Sequence, residues 1–244
     1  MTETIASRGF SGAVLRLLRA GEYRLTVTGR REISAHYLRL SFSAGGLVAD
    51  RAPHPTMWIR LWFADDAEVN ASARLHQRGY TLVNPNSGAD TVDIEFALHD
   101  GVASRWAQAA QPGDTIEATV LGSSFALPDP APRGYVIVGD PASLPAINSL
   151  LDAIGDVPAR VFLEASHDDD RALPVARGRD VVWVDRQDAG QTLVQAVASS
   201  AFDATDHFGW VASDNRTTRA VAKVLREDYK IPRKSIKAQA YWVA

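Results

Sequence analysis

The sequence has 244 residues, 26 basic and 29 acidic, for a formal net charge of -3, and it contains no cysteine. That length accommodates one large or two modest domains with real cores, and two are expected here. The near-balanced, slightly acidic charge argues against polyanion binding as the main business. The lack of thiols excludes disulfides, thiolate metal centres and iron–sulfur clusters, so electron transfer would need an organic cofactor.

Met1 to Ser7 shows no basic-then-apolar signal pattern, and no apolar run approaches the roughly 18 to 20 residues that span a membrane. A soluble, cytoplasmic protein is expected. Between Arg8 and Glu22, Phe10, Val14, Leu15, Leu17 and Leu18 fall near helical spacing, with Arg8, Arg16 and Arg19 among them. This reads as an N-terminal helix docked on its domain, the alternative being a basic segment lying on the inner face of a membrane. Alternation predicts strands over Tyr23–Gly29, Ala35–Ser43, Met57–Phe63, Gly79–Val83, Thr91–Leu98 and Thr115–Leu121. Asp65–Ala73 reads as a surface loop and Ala103–Ala110 as a short helix. Such strands separated by Gly/Pro/Asn turns suggest a small closed antiparallel barrel, ending near the stiff segment Pro128–Pro132. Beyond it, apolar strands at Tyr135–Gly139, Ala159–Leu163, Val181–Val184 and Phe208–Val211 alternate with helices at Ser143–Ile154, Gln191–Ser199 and Arg216–Tyr229. That alternation is the mark of an open α/β sheet. The expected division is therefore 1–130 and 131–244.

The stretch Arg78-Gly79-Tyr80-Thr81-Leu82 carries the clearest chemistry. Arg78 and Tyr80 share one face of a strand. An arginine there can fork onto a phosphate, a tyrosine ring can lie flat on an isoalloxazine, and the Thr81 hydroxyl can meet the polar edge of such a ring. An ordinary half-buried strand can have the same composition. A helix beginning near Ala103 presents free N–H groups suited to an anion. Gly139-Asp140-Pro141-Ala142-Ser143-Leu144-Pro145 sits where a strand gives way to a helix, the place where open α/β sheets bind dinucleotides. It lacks the Gly-x-Gly-x-x-Gly pattern, and Ser143 also reads as a plain helix N-cap. The histidines at 36, 54, 76, 99, 167 and 207 form no close ligand pair, which argues against a zinc or haem site. Asp168-Asp169-Asp170-Arg171 reads as a solvated turn.

Taken in order, Arg78-Gly79-Tyr80-Thr81, Asp93–Gly101, Ala103-Ser104-Arg105-Trp106-Ala107, Pro112-Gly113-Asp114, Gly139–Ala146 and Ala240-Tyr241-Trp242 resemble the siderophore-interacting proteins. These are FAD-dependent ferric-siderophore reductases of the ferredoxin-reductase superfamily. Arg8-Gly9-Phe10, Trp58–Phe63 and Gly122-Ser123-Ser124 look most like the siderophore-reducing domain of mycobacterial mycobactin transporters. The resemblance implies an N-terminal antiparallel β-barrel that binds FAD, followed by a C-terminal open α/β domain for NAD(P)H. It assigns the flavin to Arg78, Gly79, Tyr80, Thr81 and Leu82, and the pyrophosphate and adenine side to His99, Ala103, Ser104 and Trp106. Ser123 and Ser124 join that cofactor set. Asp140, Ser143, Ser213, Asp214 and Trp242 fall on the nicotinamide side, and Arg60, Lys234 and Lys237 on the substrate side. No side chain is assigned a catalytic role and no metal is bound, because the flavin does the chemistry.

The chain departs from the family in three places. Val102 stands where proline is usual, Gly122-Ser123-Ser124-Phe125 replaces Gly-Pro-Arg-Gly, and Val243 replaces a basic residue. With two positive charges missing, and Trp58, Trp62 and Phe125 offering apolar surface, a nearly neutral mycobactin or hydroxamate chelate is the expected substrate. Lys234 or Lys237 could instead restore the lost charge. The implied function is reduction of a ferric siderophore with release of ferrous iron by a monomer, alone or beside a transporter. The alternatives are a siderophore-binding module without reductase activity and a general NAD(P)H:flavin reductase.

Overall fold

The computed structural model describes residues 21–64, 75–176 and 181–243. The segment expected as an N-terminal helix lies outside them up to position 20, as does the loop at 65–73. The chain divides into two compact units, Met1–Phe125 and Ala126–Ala244.

The first unit contains β1 (Gly21–Ser34), β2 (Tyr37–Ser43), the single turn α1 (Leu47–Asp50), β3 (Trp58–Ala64), β4 (Leu75–Thr81), β5 (Val83–Asn86), β6 (Thr91–Ala97), α2 (Val102–Ala109) and β7 (Thr115–Val120). The strands form one sheet in the order β4-β3-β7-β1-β2-β6-β5, with every paired neighbour antiparallel. The period-two pattern sets the inner face. Leu38, Leu40 and Phe42 of β2, Ile59, Leu61 and Phe63 of β3, and Val92, Ile94 and Phe96 of β6 are buried together. Each such side chain contributes about 1.5 to 3 kcal/mol of transfer free energy.

The two edge strands are consecutive in sequence, joined through Leu82, whose N–H donates to the Met57 carbonyl at 2.8 Å. The sheet therefore curls back on itself as a half-barrel. The barrel expected from the sequence is not hydrogen-bonded all the way round, since no ladder links β4 to β5 among the described residues. Gly45 turns the chain out of β2 at φ 61, where a Cβ would lie 2.2 Å from the Arg24 carbonyl oxygen, so only glycine fits there.

The second unit contains β8 (Gly134–Gly139), α3 (Leu144–Ile154), β9 (Ala159–Ala165), β10 (Val181–Asp185), α4 (Gln191–Ser199), β11 (His207–Ala212), α5 (Asn215–Glu227) and β12 (Ile236–Ala238). The five strands run parallel in the order β10-β9-β8-β11-β12. Every residue of the central strand β8 is buried, which explains its unbroken apolar run. Val136 and Val138 pack with Leu193 and Val197 of α4 and Val221 and Leu225 of α5. From β8 the chain moves outward to β9 and β10, then returns to the other side of β8 for β11 and β12. The topological switch point thus lies between β8 and β11.

Candidate functional site

In the first unit, β4 pairs with β3 so that Tyr80 stands opposite Ile59, Arg78 opposite Leu61, and Gly79 opposite Arg60. Cross-strand partners share a face, so Arg78 and Tyr80 lie on the inner side, toward the rim, with Gly79 and Thr81 on the other side. The Tyr80 ring is half-buried in an aromatic cluster, 4.6 Å from Phe96 and 6.1 Å from Phe63 between centroids. Trp106 closes that cluster at 5.6 Å from Phe63. Burial raises the Tyr80 phenol far above its usual range, against a smaller opposing pull from Arg78. Tyr80 is therefore a neutral aromatic surface at any working pH. Arg78 is exposed, and its Nη1 donates locally, to the Gln77 carbonyl at 2.8 Å. Thr81 is 4% exposed, and its Oγ1 is buried without a hydrogen-bond partner among the described residues. A buried hydroxyl left unpaired costs about 1 to 3 kcal/mol, so an outside partner is the simplest resolution. Leu82 is buried in the core.

The start of α2 is built the same way. Its N-cap is Gly101, in extended backbone and without a side-chain cap, so no N-cap side chain accepts from the amides of the first turn. Val102 leaves one more N–H there than proline would. Ala103 and Ser104 are buried in that turn, and Ser104 Oγ accepts from the His99 N–H at 3.1 Å, which ties the exposed His99 to the helix start. The uncapped α2 amides, the exposed guanidinium of Arg78 and the unpaired hydroxyl of Thr81 are donors of the kinds that suit a dinucleotide bearing a flat aromatic ring and a pyrophosphate. The residues present thus fit FAD.

The remaining first-unit residues behave differently. Ser123 Oγ accepts from the Trp58 N–H at 3.0 Å and contacts His54 Nε2 at 3.3 Å, so its side chain ties the loop to β3. Ser124 is exposed. Arg60 is half-buried with Trp58 and Trp62 on the face opposite Tyr80. Its Nη1 donates to the Leu121 carbonyl at 2.5 Å, and its guanidinium lies 4.5 Å from the Trp58 ring centroid. Burial lowers its pKa somewhat, without threatening its charge. Trp62 offers no surface: it is 4% exposed, with Nε1 donating to Thr119 Oγ1 at 3.2 Å.

In the second unit, the carboxyl ends of the parallel strands bring together residues far apart in sequence. Asp140 follows β8, Ser213 and Asp214 follow β11, and Trp242 makes an isolated bridge with Asp214. Trp242 Nε1 donates to Asp140 Oδ2 at 2.8 Å. The Ser143 N–H donates to Asp140 Oδ1 at 2.9 Å, and the Ser143 hydroxyl donates to the Asp140 carbonyl at 3.0 Å. Ser143 does stand at the N-cap of α3, but its hydroxyl turns back onto Asp140 and does not cap the helix. Burial raises the Asp140 carboxyl, opposed by the hydrogen bonds from Trp242 and Ser143. Asp214 is the true cap of α5, accepting from the amides of Arg216 at 2.8 Å and Thr217 at 2.9 Å. Burial pushes its carboxyl up, but the Thr217 and Arg216 hydrogen bonds and the Arg186 charge outweigh that and leave it lowered.

Two residues missed by sequence reasoning complete this rim. Glu164, near the end of β9, is 1% exposed, and Arg186 lies just past β10. The Arg186 guanidinium pairs with the Glu164 carboxylate, reaches Asp214 at 3.6 Å, and lies 4.9 Å from the Trp242 ring centroid. A charged residue closing the apolar run Val161-Phe162-Leu163 was the available signal. Lys234 is exposed in the turn Arg233–Ser235, and Lys237 sits on the edge strand β12 opposite Trp210. Neither belongs to this cluster of contacts. Asp168 and Asp169 lie in a short turn as expected, but Asp170 is buried and accepts from the amides of Ser166 and His167 at 2.8 and 2.9 Å.

The model of the siderophore-interacting FAD-binding domain matches residues 65–120, and that of the siderophore-interacting protein matches 132–244. The chain belongs to the siderophore-interacting protein family. Its first unit is thus an FAD-binding domain, and the fold is ferredoxin-reductase-like. The mycobactin import ATP-binding/permease protein IrtA of Mycolicibacterium smegmatis is 34% identical over 242 residues, covering 97% of this chain and 27% of that protein. The chain therefore spans about a quarter of the length of the curated importers it matches. The ferric vibriobactin reductase ViuB of Vibrio cholerae is 28% identical over 235 residues, covering 87% of this chain and 86% of that one. The crystal structure of the siderophore-interacting protein SipS from Aeromonas hydrophila superposes with a TM-score of 0.76 at 22% identity, over 92% of each chain.

Proposed function

We propose that this protein is an FAD-dependent reductase of ferric siderophores that uses NAD(P)H and prefers a nearly neutral chelate of the mycobactin or hydroxamate kind. The observation that carries the reading is the first-unit donor set: exposed Arg78, half-buried Tyr80, the unpaired hydroxyl of buried Thr81 and the uncapped start of α2. Arg78 and the α2 amides hold phosphate oxygens, Tyr80 supports the ring system, and Thr81 meets its polar edge. When bound, the flavin converts a two-electron donor into one-electron delivery, so one nucleotide serves two ferric ions. On the second unit, Asp140, Ser143, Ser213, Asp214 and Trp242 frame the nucleotide at the switch point. The reductase reading draws on ViuB, and a site of action beside a membrane draws on the importers.

The chelate preference follows from charge. Arg60 is held by Leu121 and Trp58, while Ser124 and Val243 supply no charge where the family pattern has basic residues. Such a rim attracts a triply charged catecholate weakly. Reduction rates for a ferric hydroxamate and a ferric catecholate, compared at low and high salt, test this. The hydroxamate should be faster, with little salt dependence. A faster catecholate rate that collapses with salt refutes it. If the protein holds FAD and ferric chelate but no nucleotide reduces it, the reading becomes that of a siderophore-binding module.

A further inference from the structure

One region of the second unit is charged out of proportion to the chain. Between Asn215 and Ala238 stand eight lysines and arginines against two acidic residues, in a protein whose net charge is -3. The helix α5 sorts them. Thr217, Thr218, Val221 and Leu225 are buried, and Arg216, Arg219, Lys223 and Arg226 are exposed. At 100° per residue these four basic positions fall within about one quarter of the helix circumference, opposite Val221 and Leu225. Lys223 and Arg226 share Glu227, at 3.8 and 3.1 Å. Arg216, Arg219 and, in the following turn, Arg233 make no ion pair among the described residues.

We propose that this face of α5 and the turn after it form a docking surface for the anionic phospholipids of a membrane. Clusters of four to eight basic residues on an amphipathic helix are what an anionic bilayer attracts. A flat surface touches the basic face alone, whereas a nucleic acid that wrapped the chain would meet the excess acidic charge elsewhere. The face also presents no aromatic side chain to stack on bases. The inference deepens the membrane-side part of the proposed function and rests on that reading for its purpose: a lipophilic, nearly neutral chelate is most concentrated in the bilayer.

The test is flotation of the full chain with vesicles of phosphatidylcholine alone and of phosphatidylcholine with an equal amount of phosphatidylglycerol. Binding is expected to the mixed vesicles and not to the neutral ones, and high salt should abolish it. The triple change Arg216→Gln, Arg219→Gln and Arg233→Gln should weaken it by about a hundredfold. The same variant should reduce a water-soluble ferric chelate at the wild-type rate, so a failed reductase reading and a failed docking surface give different results. Absence of vesicle binding overturns the proposal, as does equal binding of variant and wild type. If the variant leaves vesicle binding unchanged but raises KM for NADPH without changing that for NADH, the face is a nucleotide-phosphate site and the proposal is likewise overturned.

Discussion

Replacing Thr81 with valine should stabilise the apoprotein while weakening its hold on FAD. The Thr81 side chain is almost fully buried and its hydroxyl oxygen has no partner among the described residues. Valine keeps the branched shape and removes an unpaired polar group, which relieves about 1 to 3 kcal/mol of desolvation cost. For a unit of this size, the apoprotein should melt a few degrees higher. With FAD present the sign reverses, because the hydroxyl then has a partner whose loss costs about 1 kcal/mol, close to fivefold in affinity. Urea denaturation of the flavin-free protein gives the first quantity, and quenching of flavin fluorescence on titration gives the second. A destabilised apoprotein with unchanged FAD affinity would show that this hydroxyl serves the fold and does not face the cofactor.

Other substitutions probe other parts of the structure. Arg78→Ala should weaken FAD binding by about 1.5 to 3 kcal/mol, the worth of a charge-assisted contact, with little change in apoprotein melting; an equal affinity removes Arg78 from the phosphate site. Phe96→Ala, beneath Tyr80 and 1% exposed, should cost about 3 to 5 kcal/mol of unfolding free energy, and it should loosen FAD as the Tyr80 ring loses its support. Arg186→Met leaves Glu164 without the guanidinium that offsets its burial. The folded-state carboxyl pKa then rises further, so the folded state binds more protons than the unfolded one. Stability falls as pH climbs from the ordinary carboxylate range toward neutrality. The substitution should cost about 3 to 5 kcal/mol near neutral pH and distinctly less in mild acid, by denaturant melts at both. A penalty independent of pH would show that the pair is not what holds Glu164.

The strands that carry Arg78, Tyr80 and Phe96 were legible because alternation survives in one-sided sheets. The α/β half was legible because strands buried on both faces read as unbroken apolar runs. Two strands escaped. Past Val83, β5 fell in an expected Gly/Pro/Asn turn, but it is an edge, where Pro85 is tolerated, and β12 is only three residues long. The contacts of the second-unit rim were hidden for a different reason. Trp242 and Asp140 are 102 positions apart, and Arg186 meets Glu164 only because β10 lies beside β9 in the sheet. No local pattern encodes such pairings. Trp62 was expected to offer apolar surface, yet Thr119 on neighbouring β7 satisfies its indole and lets it be buried. The Ser143 hydroxyl was claimed by its own turn, which composition could not distinguish from a cap.

The central claim is tested most directly by an anaerobic reduction cycle followed at the oxidised-flavin absorbance bands. The FAD-loaded protein should bleach on addition of NADH or NADPH and recover its absorbance when a ferric hydroxamate or mycobactin-type chelate is added, with ferrous iron appearing in step. A protein that retains no FAD, or whose reduced flavin is left unchanged by every ferric chelate, would contradict the account.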